Sequence, residues 1–381
     1  MSRPLRIAFY APLKSPDDAV PSGDRQMARA LIEALTRAGH TVTLVSRLRS
    51  FHKVPDAAAY VVLDTAARRE CQRIADAWRE GATPNLWLTY HPYYKAPDLL
   101  GPELAQAFAI PYVTAEASYA KKRESGDWAK WQKPVGLALR QATLNLCFTR
   151  PDYLGLAQFL GSEQGLAYFP PFLDTSAFMP QRQPRAHDAG QSVQLICVAM
   201  MRPGVKLESY AFLACALGHL MHLPWHLTIV GDGPARPQVE AAFSALPAET
   251  YSFRGALDSA RVREALHAAD LFVWPGFGEA YGIAYLEAQA AGLPVVALNE
   301  GGIASVLKPN ETGILVQEKT PAAYAGAVEA LIKDETGRAV MGRAAAAFLH
   351  RERSLVSAAQ RLDRLLHDAL QRYQAEAKTH D

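Results

Sequence analysis

The chain has 381 residues, long enough for two domains at about 150 residues each, and its 49% hydrophobic and 20% charged composition is that of an ordinary globular protein. Forty Lys and Arg against 38 Asp and Glu leave a net charge of only +2, which demands no nucleic-acid partner. Cys71, Cys147, Cys197 and Cys215 are widely spaced with no C-x-x-C pair, so they read as reduced thiols in a cytoplasmic protein. No leader-like apolar segment precedes the first strand pattern, and no window offers the ~18 apolar residues of a spanning helix.

In chain order, Leu5–Tyr10 is a short apolar run and Ala11–Asp24 a loop rich in Pro and Gly. Met27, Ala28, Leu31, Ile32 and Leu35 then recur at helical spacing up to Arg37, Gly39-His40 stops that helix, and Thr41–Val45 resumes as strand. Strand, helix, strand with short links predicts a parallel sheet covered on both faces. Further strands are expected at Tyr60–Leu63, Leu86–Thr89, Tyr112–Ala115 and Leu144–Cys147. The Pro pair in Phe169–Asp174 suits neither a central strand nor a helix interior and marks a hinge, and Pro180–Gln191 reads as a surface loop. A second rhythm follows: strands at Val193–Val198, Leu227–Val230, Tyr251–Phe253, Leu271–Trp274 and Pro294–Leu298. Helices alternate with them at Leu207–His219, Arg236–Ala245, Ala260–Ala268 and Ile283–Ala291, and more helix runs from Pro321 to Tyr373. The pattern predicts an α/β chain of two Rossmann-like domains, residues 1–170 and 171–355, with a final helix over 356–381 returning toward the first. Ligands in such folds bind at the carboxyl ends of the strands, here in a cleft between the facing domains.

The segment Trp274-Pro-Gly-Phe-Gly-Glu279-Ala280-Tyr281-Gly282-Ile283-Ala-Tyr-Leu-Glu287 reads as strand, glycine-rich loop and helix. Its glycines permit close backbone approach and positive φ. The amides of Gly282, Ile283 and Ala284 sit where a helix begins, and free amides with a helix dipole favour phosphate. Glu287, about one turn in, is placed to accept from vicinal hydroxyls such as a ribose, and Glu279 on the loop from sugar hydroxyls.

Glu279 and Glu287, seven residues between them, inside Gly278-Glu279-x-x-Gly282-x4-Glu287-Ala, resemble the hallmark of family 4 glycosyltransferases of the GT-B fold. Pro21-Ser-Gly23-Asp-Arg25, Gly39-His40-Thr-Val, Pro170-Pro-Phe-Leu-Asp174 with Phe178, Leu227-Thr-Ile-Val-Gly231-Asp-Gly233 and Phe253-Arg-Gly255 resemble its other segments in order. The resemblance covers most of residues 5–350 and is strongest in the C-terminal half. It implies transfer of a sugar from a nucleotide sugar, a UDP- or GDP-sugar, to an acceptor hydroxyl. Configuration would be retained, with no bound metal and no other cofactor, in glycan, glycolipid or envelope polysaccharide synthesis. It implies that Arg202 and Lys206 clamp the donor diphosphate, although they stand four positions apart, one fewer than in the family. Gly23 and Gly231 would line the donor's path.

On the acceptor side Glu116 occupies the place where the family carries a His, and His91 is the other candidate to assist the acceptor hydroxyl. The basic and aromatic run Lys121, Lys122, Arg123, Trp128, Trp131 offers peripheral contact with the inner membrane face or a lipid-linked acceptor, if its tryptophans are not packed inward. His219, His222 and His226 lack a ligand-spaced carboxylate or thiol, so no metal site is expected. A nucleotide-sugar epimerase or phosphorylase of the same fold, or an inactive donor-binding subunit, are the alternatives.

Overall fold

The computed structural model describes residues 3–20, 22–178 and 192–379. The loop expected over Pro180–Gln191, and Pro21 of the first-loop motif, lie outside the described residues. The chain separates into two compact units, Met1–Pro170 with Leu355–Asp381, and Pro171–Ser354.

In chain order unit 1 comprises β1 (Arg6–Tyr10), α1 (Gly23–Arg37), β2 (Thr41–Leu44), α2 (Ala57–Glu80), β3 (Leu86–Tyr90), α3 (Gly101–Ala107), β4 (Tyr112–Ala115), α4 (Ala129–Gln141), β5 (Leu144–Cys147), α5 (Arg150–Leu160) and β6 (Leu166–Tyr168). All strand pairs are parallel, in the order β2-β1-β3-β4-β5-β6. The order reverses between β1 and β3, so the loops after those two strands diverge and leave a crevice at their carboxyl ends. Buried parallel strands carry unbroken apolar runs, and every residue of β3 is buried. The strand expected at Tyr60–Leu63 is instead the first turns of α2. Asp56 caps that helix by accepting the Ala58 and Ala59 amides, and Leu63, Ala67, Cys71, Ile74 and Ala75 continue its buried face. Val61 and Val62 supplied the β-like composition and lie on the solvent side, Val62 70% exposed.

Unit 2 comprises β7 (Val193–Val198), α6 (Val205–Gly218), β8 (Trp225–Val230), α7 (Arg236–Phe243), β9 (Tyr251–Gly255), α8 (Ser259–Ala268), β10 (Leu271–Val273), α9 (Ile283–Ala290), β11 (Val295–Leu298), β12 (Gly313–Val316), α10 (Pro321–Lys333) and α11 (Glu335–Glu352). Its sheet is also parallel, ordered β12-β11-β10-β7-β8-β9, and reverses between β7 and β10. The connections that follow those two strands lead into α6 and α9.

The last helix, α12 (Leu355–Thr379), belongs to unit 1, where it packs on α1. Leu355, Leu362, Leu366 and Ala369 are its buried face, and Arg361 donates to the Tyr168 carbonyl at 2.5 Å. His40, after α1, lies 3.3 Å from Asp363 through Nε2, and His367 lies 3.2 Å from the same carboxylate.

Candidate active site

In unit 2 the sequence places glycine wherever the switch-point loops crowd. Gly204 (φ 82°) heads α6 and Gly282 (φ 75°) heads α9, and neither helix has a side-chain cap. The amides of Val205 and Lys206 on one helix, and of Gly282, Ile283 and Ala284 on the other, find no acceptor among the described residues. Two uncapped helix starts thus stand at the ends of adjacent strands, and each favours an anion through its amides and its dipole. A side chain at Gly282 would run into the Tyr285 ring, and one at Gly278 would press on Val205. Gly231 (φ 147°) lies so close to the Ala199 carbonyl that no Cβ fits.

The Lys206 ammonium, in the first turn of α6, is paired with Glu279 on the loop before α9. It also stands 5.6 Å over the ring of Trp274, whose indole N–H donates to the same Glu279 oxygen at 3.0 Å. Ser209 receives the Phe277 amide at 3.1 Å, and Glu300 the Gly278 amide at 3.5 Å while pairing with Lys319 at 2.9 Å. The backbone of Gly301 closes on the Glu279 carbonyl, so the loop is braced from both sides. Arg202 is exposed, and its guanidinium has no hydrogen-bond or ion-pair partner among the described residues. Lys206 and Arg202 are therefore unlike: one cation is held by Glu279 and one is solvated. Ala280 is exposed, Tyr281 buried and Glu287 partly buried on α9. Trp274, Ser209, Glu300 and the Gly204 cap went unassigned in the sequence, where nothing marks which side chains the loop will meet.

In unit 1 a second cluster forms at the strand ends. His91, just past β3, and Glu116, just past β4, both hold positive φ (57° and 56°), a strained conformation for residues with a side chain. Their backbones interlock, His91 N–H donating to the Ala115 carbonyl at 2.8 Å and Glu116 N–H to the Leu146 carbonyl at 2.9 Å. His91 Nδ1 lies 3.0 Å from Asp24 and 3.8 Å from Glu116, and Tyr90 donates to Glu116 at 2.8 Å. Burial, the largest influence on His91, works to discharge it. Glu116, Asp24 and Asp152 outweigh burial and hold the imidazole up at about 9. Burial pushes Glu116 up to about 7, against the pull of His91 and of the Tyr90 hydroxyl. Gly23, the first residue of α1, precedes Asp24 and follows the Ser22 cap. Asp24 and Asp152 were not singled out in the sequence. Asp24 reaches His91 only because α1 follows β1 and β1 neighbours β3.

The tryptophans of the basic run face inward, so they cannot dip into a bilayer. Trp128 is 6% and Trp131 1% exposed, packed with Leu63, Tyr60, Tyr94 and Leu99, because their ring area is worth more in a core than at a wet surface. Lys121 and Lys122 stay exposed, and Arg123 lies on the Tyr94 ring at 5.2 Å. No helix among the described residues is long and apolar enough to cross a membrane.

Residues 192–334 match the family model described as Glycosyl transferases group 1. D-inositol 3-phosphate glycosyltransferase of Arthrobacter sp. strain FB24 is 25% identical over 90% of each chain. The GDP-mannose-dependent alpha-(1-6)-phosphatidylinositol monomannoside mannosyltransferase of Mycobacterium tuberculosis is 32% identical over 49% of this chain and 52% of its own. These likenesses make the chain a glycosyltransferase similar to the group 1 enzymes. Among solved structures, sucrose-phosphate synthase of Thermosynechococcus elongatus superposes with a TM-score of 0.72 at 17% identity, over 96% of this glycosyltransferase and 98% of that chain. Anabaena Alr3699/HepE in complex with UDP superposes at 0.69 and 15% identity, over 96% and 100%. The glycosyltransferase accordingly has the two-domain α/β GT-B fold.

The trio His40, Asp363 and His367 has the composition of a metal set. Its hydrogen bonds do not fit one at His40: Leu5 N–H donates to Nδ1 at 3.2 Å, so the ring proton sits on Nε2, 3.3 Å from Asp363 but without completing a hydrogen bond to it. A metal would need that Nε2 lone pair. The trio is a fastening between the α1–β2 turn and α12.

Proposed function

We propose that this glycosyltransferase moves a sugar from a nucleoside-diphosphate sugar to an acceptor hydroxyl with retention of configuration and without a metal. The observation that carries the reading is the pair of uncapped helix starts, α6 and α9, at the switch point of unit 2, with Lys206 and Arg202 beside them. Negative charge grows on the diphosphate as its bond to the sugar breaks, and preorganised amides and cations stabilise that charge most where it develops. In this reading Arg202 and the amides of Gly282 and Ile283 hold the diphosphate, Glu287 accepts from the ribose, and Glu279 accepts from the sugar hydroxyls. Gly231 keeps a side chain out of the donor's way in unit 2. The Lys206–Glu279 pair is the resting state of the site. An arriving donor offers Lys206 a phosphate and Glu279 hydroxyls, so each exchanges one partner for another and neither charge is stranded.

Unit 1 handles the acceptor. His91 and Glu116 orient its hydroxyl, which attacks the sugar from the side the diphosphate leaves, and its proton passes to the departing phosphate oxygen. HepE, solved with UDP and with UDP-glucose, supports a uridine donor, and the mannosyltransferase named for GDP-mannose supports a guanosine donor. Cytoplasmic residence agrees with four free cysteines, three of them buried. A thermal-shift panel of nucleoside diphosphates and nucleotide sugars tests the reading, because a ligand of the native state raises the melting point. One nucleoside diphosphate should stabilise the protein and Arg202→Ala should abolish that shift; no response to any nucleotide overturns it.

A further inference from the structure

On unit 1, α4, the end of α5 and the loop 117–128 line an open pocket of about 540 Å³ that holds none of the residues assigned above to the transfer reaction. Tyr119 and Phe159 form one wall, stacked with ring centroids 3.6 Å apart. Gly136 is the reason they fit, since a Cβ there would stand 3.3 Å from both rings. Lys130, Lys133 and Arg140 line the cavity against a single acid, Glu124, for a local charge of three cations minus one anion, +2. Glu124 is already engaged by the Tyr119 hydroxyl at 2.7 Å. Arg140 is held in place, its guanidinium 4.3 Å over Phe159 and bonded to the Phe159 carbonyl at 3.2 Å. Lys133 has no ion-pair partner among the described residues.

The same cavity is lined by Gln132, which is 1% exposed. Both its amide oxygen and its amide nitrogen are buried without a hydrogen-bond partner. The amide bears on the Tyr119 hydroxyl, which is spent on Glu124, without completing a bond of its own. A buried amide left wanting both a donor and an acceptor is costly and rare in a folded protein. The three features select one ligand chemistry. Cations answer an anionic group, a flat aromatic wall answers the apolar face of a pyranose ring, and an amide with both functions free answers hydroxyls, which donate and accept. Pockets for small ligands run to about 300–1,000 Å³, so the space admits at least one sugar ring.

We infer that this cavity binds an acidic sugar, carboxylate- or phosphate-bearing, at a site separate from the transfer machinery. A plain anion would satisfy the lysines but leave the amide and the rings unused.

The test is binding, so it stands or falls independently of turnover. Glucuronate, glucose 6-phosphate, glucose and inorganic phosphate are titrated into the full chain by calorimetry, with Lys133→Glu and Gln132→Leu alongside. Both acidic sugars should bind at least about tenfold tighter than glucose or phosphate, and Lys133→Glu, an exposed change that spares the core, should weaken them about tenfold or more. Whichever acidic sugar binds tighter separates the carboxylate from the phosphate source. Gln132→Leu should raise the melting point of the free protein, because it removes an unsatisfied amide, while losing the preference for a sugar over bare phosphate. Phosphate binding as tightly as the sugars, absence of binding by both acidic sugars, or affinity indifferent to Lys133→Glu overturns the inference.

Discussion

His91 and Glu116 face each other at 3.8 Å, each at the end of a neighbouring strand and each held at positive φ. Both groups are shifted upward, for different reasons: the neighbouring carboxylates hold the imidazole charged up to about 9, and burial keeps the carboxyl protonated up to about 7. If the Glu116 carboxylate orients the acceptor, kcat/KM should rise with pH through about 7 and fall as His91 discharges through about 9. Glu116→Gln should remove the acidic limb and move the alkaline one to lower pH, because the Glu116 charge helps hold the imidazole up. A pH–rate profile of the two proteins checks this, and an unchanged acidic limb in the variant ends the assignment.

The Lys206–Glu279 pair gives a second expectation. Either partner alone leaves the other's charge partly buried and unmatched, so Lys206→Ala and Glu279→Ala should each lower turnover by about 10²–10³, as losing one preorganised contact to a developing charge does. The double variant should lose less than the product of the single losses, since the two act as a unit. Steady-state kinetics on the three proteins reads the coupling directly, and strictly multiplicative losses count against it.

Backbone crowding predicts a stability effect away from any charge. Gly231→Ala would set a Cβ against the Ala199 carbonyl at a φ unfavourable to side chains, so it should destabilise unit 2 by about 2 kcal/mol or more. Gly155→Ala, where nothing stands within 4 Å of an added Cβ, is the control and should be neutral or stabilising. Urea midpoints of the two variants decide.

The fastening of α12 is acid-sensitive by construction. Burial lowers the His40 pKa below its ordinary 6.5, with Asp363 pulling the other way and His367 adding to the depression. The folded state therefore binds this proton less readily than the unfolded chain does. Its contribution to stability is complete above about 6.5 and is lost as pH falls below that value. Protonation would also set an N–H at Nδ1 against the Leu5 amide. His40→Gln should flatten stability between pH 7 and 5 if this ring is responsible, as thermal melts across that range will show.

Much of unit 2 was legible in the sequence because its chemistry is local. The glycines, Glu279 and the start of α9 fall within a dozen residues, and the amides there need only a helix to begin. Unit 1 was harder. Asp24 and His91 are 67 positions apart and meet only because the strand order reverses between β1 and β3, which no spacing in the chain encodes. Tyr60–Leu63 read as strand because β-branched composition outweighed a helical period that becomes clear only further along α2. Trp128 and Trp131 look alike in sequence whether they face lipid or a core, and only the rings of Tyr60 and Tyr94 decide between them.

Because α12 completes unit 1 from beyond unit 2, the contiguous half of the protein and the interrupted half cannot finish together on the ribosome. Pro171–Ser354 has all its strands and covering helices in hand once Ser354 has emerged, whereas the α1 surface waits for a helix still to be made. Until then the face of α1 that α12 covers stays open, a surface that every nascent chain must keep from other apolar surfaces. Leu173 and Ser354, paired where the two crossings enter and leave the second unit, mark the moment in synthesis at which that wait is nearly over.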